Sequence, residues 1–180
     1  MHQSLQVIAQ TKKWIMDVVV GCNFCPFAAK EMKLNSVRYQ VEMSLDLHVC
    51  LEAFINECVL LNNDKKTETT FLIFPNAFQQ FDDYLDLVSF AEQLLKDNGY
   101  EGVYQVAGFH PLYLFANTSS TDAANYTNRS IYPMLHLLRE ESMEQALSNY
   151  SHPEQIPARN IRFAHEKGEA YMKMLRDNCQ

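Results

Sequence analysis

Between Ser4 and Phe109 the apolar residues switch back and forth between two periods. Apolar residues every third or fourth position line one face of a helix, whereas strict alternation lines one face of a strand. A segment that carries one period is a poor fit to the other element, so this alternation constrains the fold more than any single residue does. Leu5, Ile8, Ile15, Val18, Val19 and Cys22 recur at helical spacing, which predicts an amphipathic helix from Ser4 to Gly21. Val37, Tyr39, Val41 and Met43 alternate with Arg38, Gln40 and Glu42, a half-buried strand. Asp46 to Asn62 is helical, with Leu47, Cys50, Leu51, Phe54, Ile55, Cys58 and Leu61 on one face. Thr69 to Phe74 is apolar and β-branched throughout, as in a strand buried on both sides, and Pro75-Asn76 stops it. Phe78, Phe81, Leu85, Val88, Ala91 and Leu95 mark a third helix, closed by Asn98-Gly99, and Val103 to Phe109 is a third strand.

Beyond Phe109 the pattern is less regular. Pro133 to Arg139 fits a fourth strand better than a helix, and Ser142-Met143-Glu144-Gln145 reads as a capping box that starts a fresh helix. Ile156 to Arg176 supplies a last helix, weakened by Gly168. The expected fold is α/β, with α+β as the alternative. It is a two-layer sandwich whose three- to four-stranded mixed sheet is covered by helices. Its βαβαβ core carries an N-terminal helix and C-terminal helices, and the chain of 180 residues is one domain.

Charge and cysteine usage narrow the function classes. The net charge of −7, with no cluster of Lys and Arg larger than a pair such as Lys12-Lys13, disfavours nucleic-acid binding, which depends on neutralising phosphates. The N-terminus lacks the basic and apolar regions of a signal peptide. No apolar run, that around Val18-Val19-Val20 included, is long enough to span a bilayer. A cytoplasmic protein without membrane association is expected. Cys22, Cys25, Cys50, Cys58 and Cys179 are odd in number, which in that compartment argues for free thiols.

The segment from Phe109 to Ser130 is the richest in candidate chemistry. It follows a strand, has no period of its own and ends in Asn125-Tyr126-Thr127-Asn128-Arg129-Ser130. Long connections of this kind are usually functional or disordered, and the aromatics Phe109, Tyr113, Phe115 and Tyr126 argue against disorder. In open α/β sheets ligands bind beyond the carboxyl ends of the strands. That rule gathers Asn76, His110 and the Asn125–Ser130 segment at one edge, if the strands are parallel. His110 is the best acid/base candidate, against the plainer reading of a histidine capping a strand end. Arg129 is the best anion clamp, with Asn125, Tyr126 and Asn128 completing a polar pocket. The competing reading is a loop whose Asn side chains bond their own backbone.

Cys25 lies just past the first helix, in Cys22-Asn23-Phe24-Cys25-Pro26-Phe27. As a redox pair the two thiols follow a helix, where the dipole has the wrong sign unless Pro26 opens a new one. A zinc site would require Cys22, Cys25, His110 and His136 to converge, because there is no second Cys-x-x-Cys and no His-x-x-x-His. No metal or other cofactor is predicted, and a metal-binding protein is kept as a minor alternative. A single nucleophilic Cys25 served by His110 is the sharper reading, and a small buried hydrophobe the plainer one. His136, set among leucines, reads as a histidine at the edge of the core or as part of the binding set.

Several stretches together resemble a bacterial family of unknown function, DUF1415. They are Gly21-x-Asn23-x-Cys25-Pro26-Phe27-Ala28, Phe109-His110-Pro111, Asn125 through Ser130, Pro133, and Leu135 through Glu140, with Trp14, Arg38-Tyr39, Glu68-Thr69-Thr70 and Glu101-Gly102-Val103. The resemblance covers nearly the whole chain and implies no activity. It places Cys25, His110, Asn125, Asn128, Arg129 and His136 on motif positions. Cys22 stands where the family pattern has an apolar residue, which weakens both paired-thiol readings. Two classes stay open. One is an enzyme for a small polar or anionic substrate, with Cys25 as reactive thiol, His110 as acid/base and Arg129 as clamp. The other is a non-catalytic ligand-binding or interaction domain.

Overall fold

A computed structural model describes residues 2–148 and 150–180. Helix α1 (His2–Trp14) continues directly into a π-helical segment (Ile15–Val20), followed by α2 (Ala28–Leu34) and β1 (Val37–Val41). Next come α3 (Leu47–Asn63), β2 (Thr69–Ile73), α4 (Phe81–Asp97) and β3 (Tyr104–Phe109). A 3₁₀ turn (Ala123–Thr127) leads to β4 (Met134–Arg139), then α5 (Glu140–Ser148), α6 (Ile156–Lys167) and α7 (Glu169–Asp177).

The α/β expectation holds. Four strands form one mixed sheet in the order β1-β2-β4-β3. β1 and β2 are parallel, and β4 runs antiparallel to both β2 and β3. β1, β2 and β3 therefore point the same way, with β4 inserted between the last two. Both crossovers, through α3 and through α4, step in the same direction across the sheet. Crossovers of one hand then place both helices on one face. There Cys50, Phe54, Cys58 and Leu61 of α3 and Tyr84, Leu87, Ala91 and Leu95 of α4 close over Leu72, Leu135 and Leu137. The other face carries Val37, Tyr39, Phe71, Ile73, Phe109 and Met134, packed under α1, the π-helical segment, α6 and α7.

Helix ends follow local chemistry. Asp46 caps α3 by accepting from the His48 and Val49 amides. β4 passes into α5 with no loop, so Glu140 and Glu141, not Ser142, open that helix, where their charge suits the dipole. The predicted C-terminal helix is two helices, broken at Gly168, whose φ of 80° a side chain would strain. The buried face of α4 is Tyr84, Leu87, Ala91 and Leu95; Leu85 points to solvent. Leu5 is likewise exposed, and Val7, Thr11 and Trp14 form the buried stripe of α1. Among the described residues no helix is long and apolar enough to cross a membrane.

Candidate functional site

The carboxyl ends of β2 and β3 do share an edge, and the segment from Phe109 to Ser130 fills it. Its polar side chains are engaged with its own backbone. Asn125, fully buried, accepts at Oδ1 from the Phe115 amide (2.9 Å) and the Thr118 hydroxyl (2.9 Å), and donates to the Ser119 carbonyl (2.8 Å). Asn128 donates to the Gly108 carbonyl (3.1 Å). Arg129 is 8% exposed; it donates to the carbonyls of Tyr113 (3.0 Å) and Ser120 (2.9 Å) and stacks its guanidinium on Tyr126 (4.7 Å). Tyr126 is buried, with Arg176 on its ring as well. A long loop buried at a sheet edge must satisfy its backbone groups somehow, and these residues do that.

His110 belongs to the same scaffold. Its Nδ1 accepts from the Leu112 amide (3.0 Å), so Nε2 carries the proton and donates to the Phe78 carbonyl (2.8 Å). Burial holds its pKa below the ordinary histidine value. Both ring nitrogens are thus engaged with backbone groups. Asn76 is exposed and donates to the Met43 carbonyl (3.1 Å).

Cys25 and His136, by contrast, line one cavity of about 500 Å³ on the face of the sheet opposite α3 and α4. The π-helical segment contributes Ile15 and Val19, and α2 contributes Ala28 and Met32. Phe71, Ala107, Phe109 and Leu138 form its floor. Wide π turns often mark functional positions, and here the widened turn sets two branched side chains on the cavity wall. Gly21 ends that turn because a Cβ there would stand 2.3 Å from the Asp17 carbonyl oxygen. The Cys25 turn is tied down from α6, where Asn160 donates to the Phe24 carbonyl (2.8 Å) and Phe163 packs edge-on against Phe24.

His136 is the distinctive group in the cavity. The Thr69 hydroxyl donates its single proton to the Leu137 carbonyl, so it accepts from His136 Nε2 at 2.6 Å. That fixes the tautomer and leaves Nδ1 unprotonated, with no protein partner among the described residues. Burial pushes the His136 pKa down to about 3, so the ring is neutral at physiological pH. The cationic lining residues are already committed. Lys30 pairs with Glu31 (3.3 Å), and Arg139 donates to the carbonyls of Leu61, Asp64 and Thr67.

The paired-thiol readings lose their geometry. Cys22 does not line the cavity, burial raises its pKa, and all five cysteines are free thiols. No group of three or more His, Cys, Asp or Glu side chains is placed to hold a metal among the described residues. Sequence reasoning overlooked Phe71 and Ala107, which read as ordinary strand residues. The small pair Ala107-Gly108 inside an otherwise bulky strand was the available signal.

No curated protein and no solved structure matches the chain. A family model, described as "Protein of unknown function (DUF1415)", matches residues 6–174, and the chain therefore belongs to that family.

Proposed function

We propose that this protein binds a small, largely apolar molecule in the cavity over the sheet, with Cys25 on its wall and the unprotonated Nδ1 of His136 as its hydrogen-bond acceptor. The observation that supports this is a cavity of about 500 Å³ built around a neutral histidine with one nitrogen unmatched. Ligand sites are typically apolar hollows of about 300–1,000 Å³ with a few placed polar groups. The anionic-substrate expectation rested on Arg129, which is remote from the cavity lining and engaged with carbonyls.

N-phenyl-1-naphthylamine, whose fluorescence rises in apolar surroundings, tests the reading. Bound probe is expected to slow iodoacetamide labelling of Cys25 and leave Cys22 unaffected, read by peptide mass mapping. No fluorescence gain, or labelling of Cys25 that ignores saturating probe, sinks the proposal.

A catalytic reading survives in altered form, because Cys25 and His136 line the same cavity. A histidine with so low a pKa is a weak base at neutral pH, so binding is the better-supported function. Rapid alkylation of Cys25 below pH 7, lost in His136→Phe, would favour catalysis instead.

A further inference from the structure

Across the cavity floor the strands bring four residues into one row: Tyr39 beside Phe71, Phe71 beside His136, and His136 beside Ala107. The first three carry flat rings, and the rings are nearly parallel. Tyr39 and Phe71 stand 6.0 Å apart at 10°, and Phe71 and His136 stand 3.8 Å apart at 10°. The outer end of this column is covered, because the Lys12 ammonium lies 5.0 Å from the Tyr39 ring centroid. The inner end has no cover of that kind. The fourth position is a methyl group, on a strand about 4.8 Å further on, which is the spacing at which another ring would stack. Phe109, two residues along the same strand face, walls the gap at 6.2 Å from His136 and is itself held edge-on by Trp14 at 5.2 Å. Ala107, His136, Phe109 and Leu138 all line the cavity, so the gap opens into it.

The geometry points to a planar aromatic ligand that completes this column, its ring lying over Ala107 against the face of His136. The inference rests on the binding reading above and names the ligand class for that cavity. A stacked pair adds attraction beyond area burial, and a saturated ring of equal size lacks it. The lining offers no uncommitted cation among the described residues, so the ring is not a carboxylate or phosphate ester.

Calorimetric titration of the intact protein with 2-naphthol and with decahydro-2-naphthol separates shape from size, because both carry one hydroxyl. The planar compound is expected to bind about tenfold more tightly. Ala107→Leu, which fills the gap, is expected to weaken 2-naphthol by about tenfold or more, while Ala107→Gly retains it. Equal affinity of the two compounds for the unaltered protein overturns the inference and leaves the apolar cavity standing; this comparison needs no variant to fold. Failure of both compounds together with N-phenyl-1-naphthylamine removes the binding reading itself.

Discussion

The loop from Phe109 to Ser130 and the cavity over the sheet are opposites in composition and in availability. The loop is dense in polar side chains, yet Asn125, Asn128, Arg129 and His110 all end on backbone groups. The cavity is mostly apolar, yet it holds a histidine nitrogen with no protein partner among the described residues. A polar group already paired with a buried partner is unavailable to a ligand, because releasing it strands that partner. What marks a site is therefore the unmatched group, not the local density of polar ones.

The comparison breaks most sharply at Asn125. Asn125→Ala strands the Phe115 amide and removes one of two partners from the Thr118 hydroxyl and from the Ser119 carbonyl, an expected loss of about 3 kcal/mol in urea unfolding. Binding of N-phenyl-1-naphthylamine below the unfolding transition should stay unchanged. A folded Asn125→Ala protein that no longer binds the probe would return the site to the loop. Arg129→Met should cost about 2 kcal/mol for the same reason and likewise spare the cavity.

His136 tests the other side. Its folded pKa lies below its unfolded value, so the neutral form belongs to the native state. Acidification below about pH 6.5 then protonates the unfolded chain preferentially and lowers stability, until the folded pKa near 3 is passed. Between pH 7 and pH 5 this group alone contributes a loss of about 2 kcal/mol. His136→Phe should remove that share, leaving the smaller acid sensitivity that His110 supplies in the same direction. An unchanged pH profile in His136→Phe would mean that the ring is solvated enough to titrate normally. The smallest effect is expected at Cys25, where replacement by Ala should cost under about 1 kcal/mol, since the thiol borders a cavity rather than a packed core.

Much of the architecture was legible in the sequence. Strict alternation at Val37–Val41 and the β-branched run at Thr69–Ile73 identify their strands without help. The capping carboxylate of Asp46 marks the start of α3. Helix α2 was legible only as the condition that Pro26 opens a new helix, because it has no buried residue and so no apolar stripe to read. The capping-box reading at Ser142 failed because β4 hands its last residue directly to α5, and the helix starts two residues earlier. For the site, Cys25 and His136 were among the candidates, but His110 and Arg129 were chosen for side-chain type. Type alone does not reveal whether a hydrogen-bond partner is already in place.

The sequence by itself determined the elements and which residues share a face of each, because period and capping are local properties of the chain. Only the tertiary structure decided that β4 lies between β2 and β3. Its pairing with β2 joins residues more than sixty positions apart, and the two pairings set His136 against Phe71 and the Thr69 hydroxyl on one side and Ala107 on the other. No local pattern encodes such a row, since strand order is settled by which buried faces and backbone groups can all be satisfied at once.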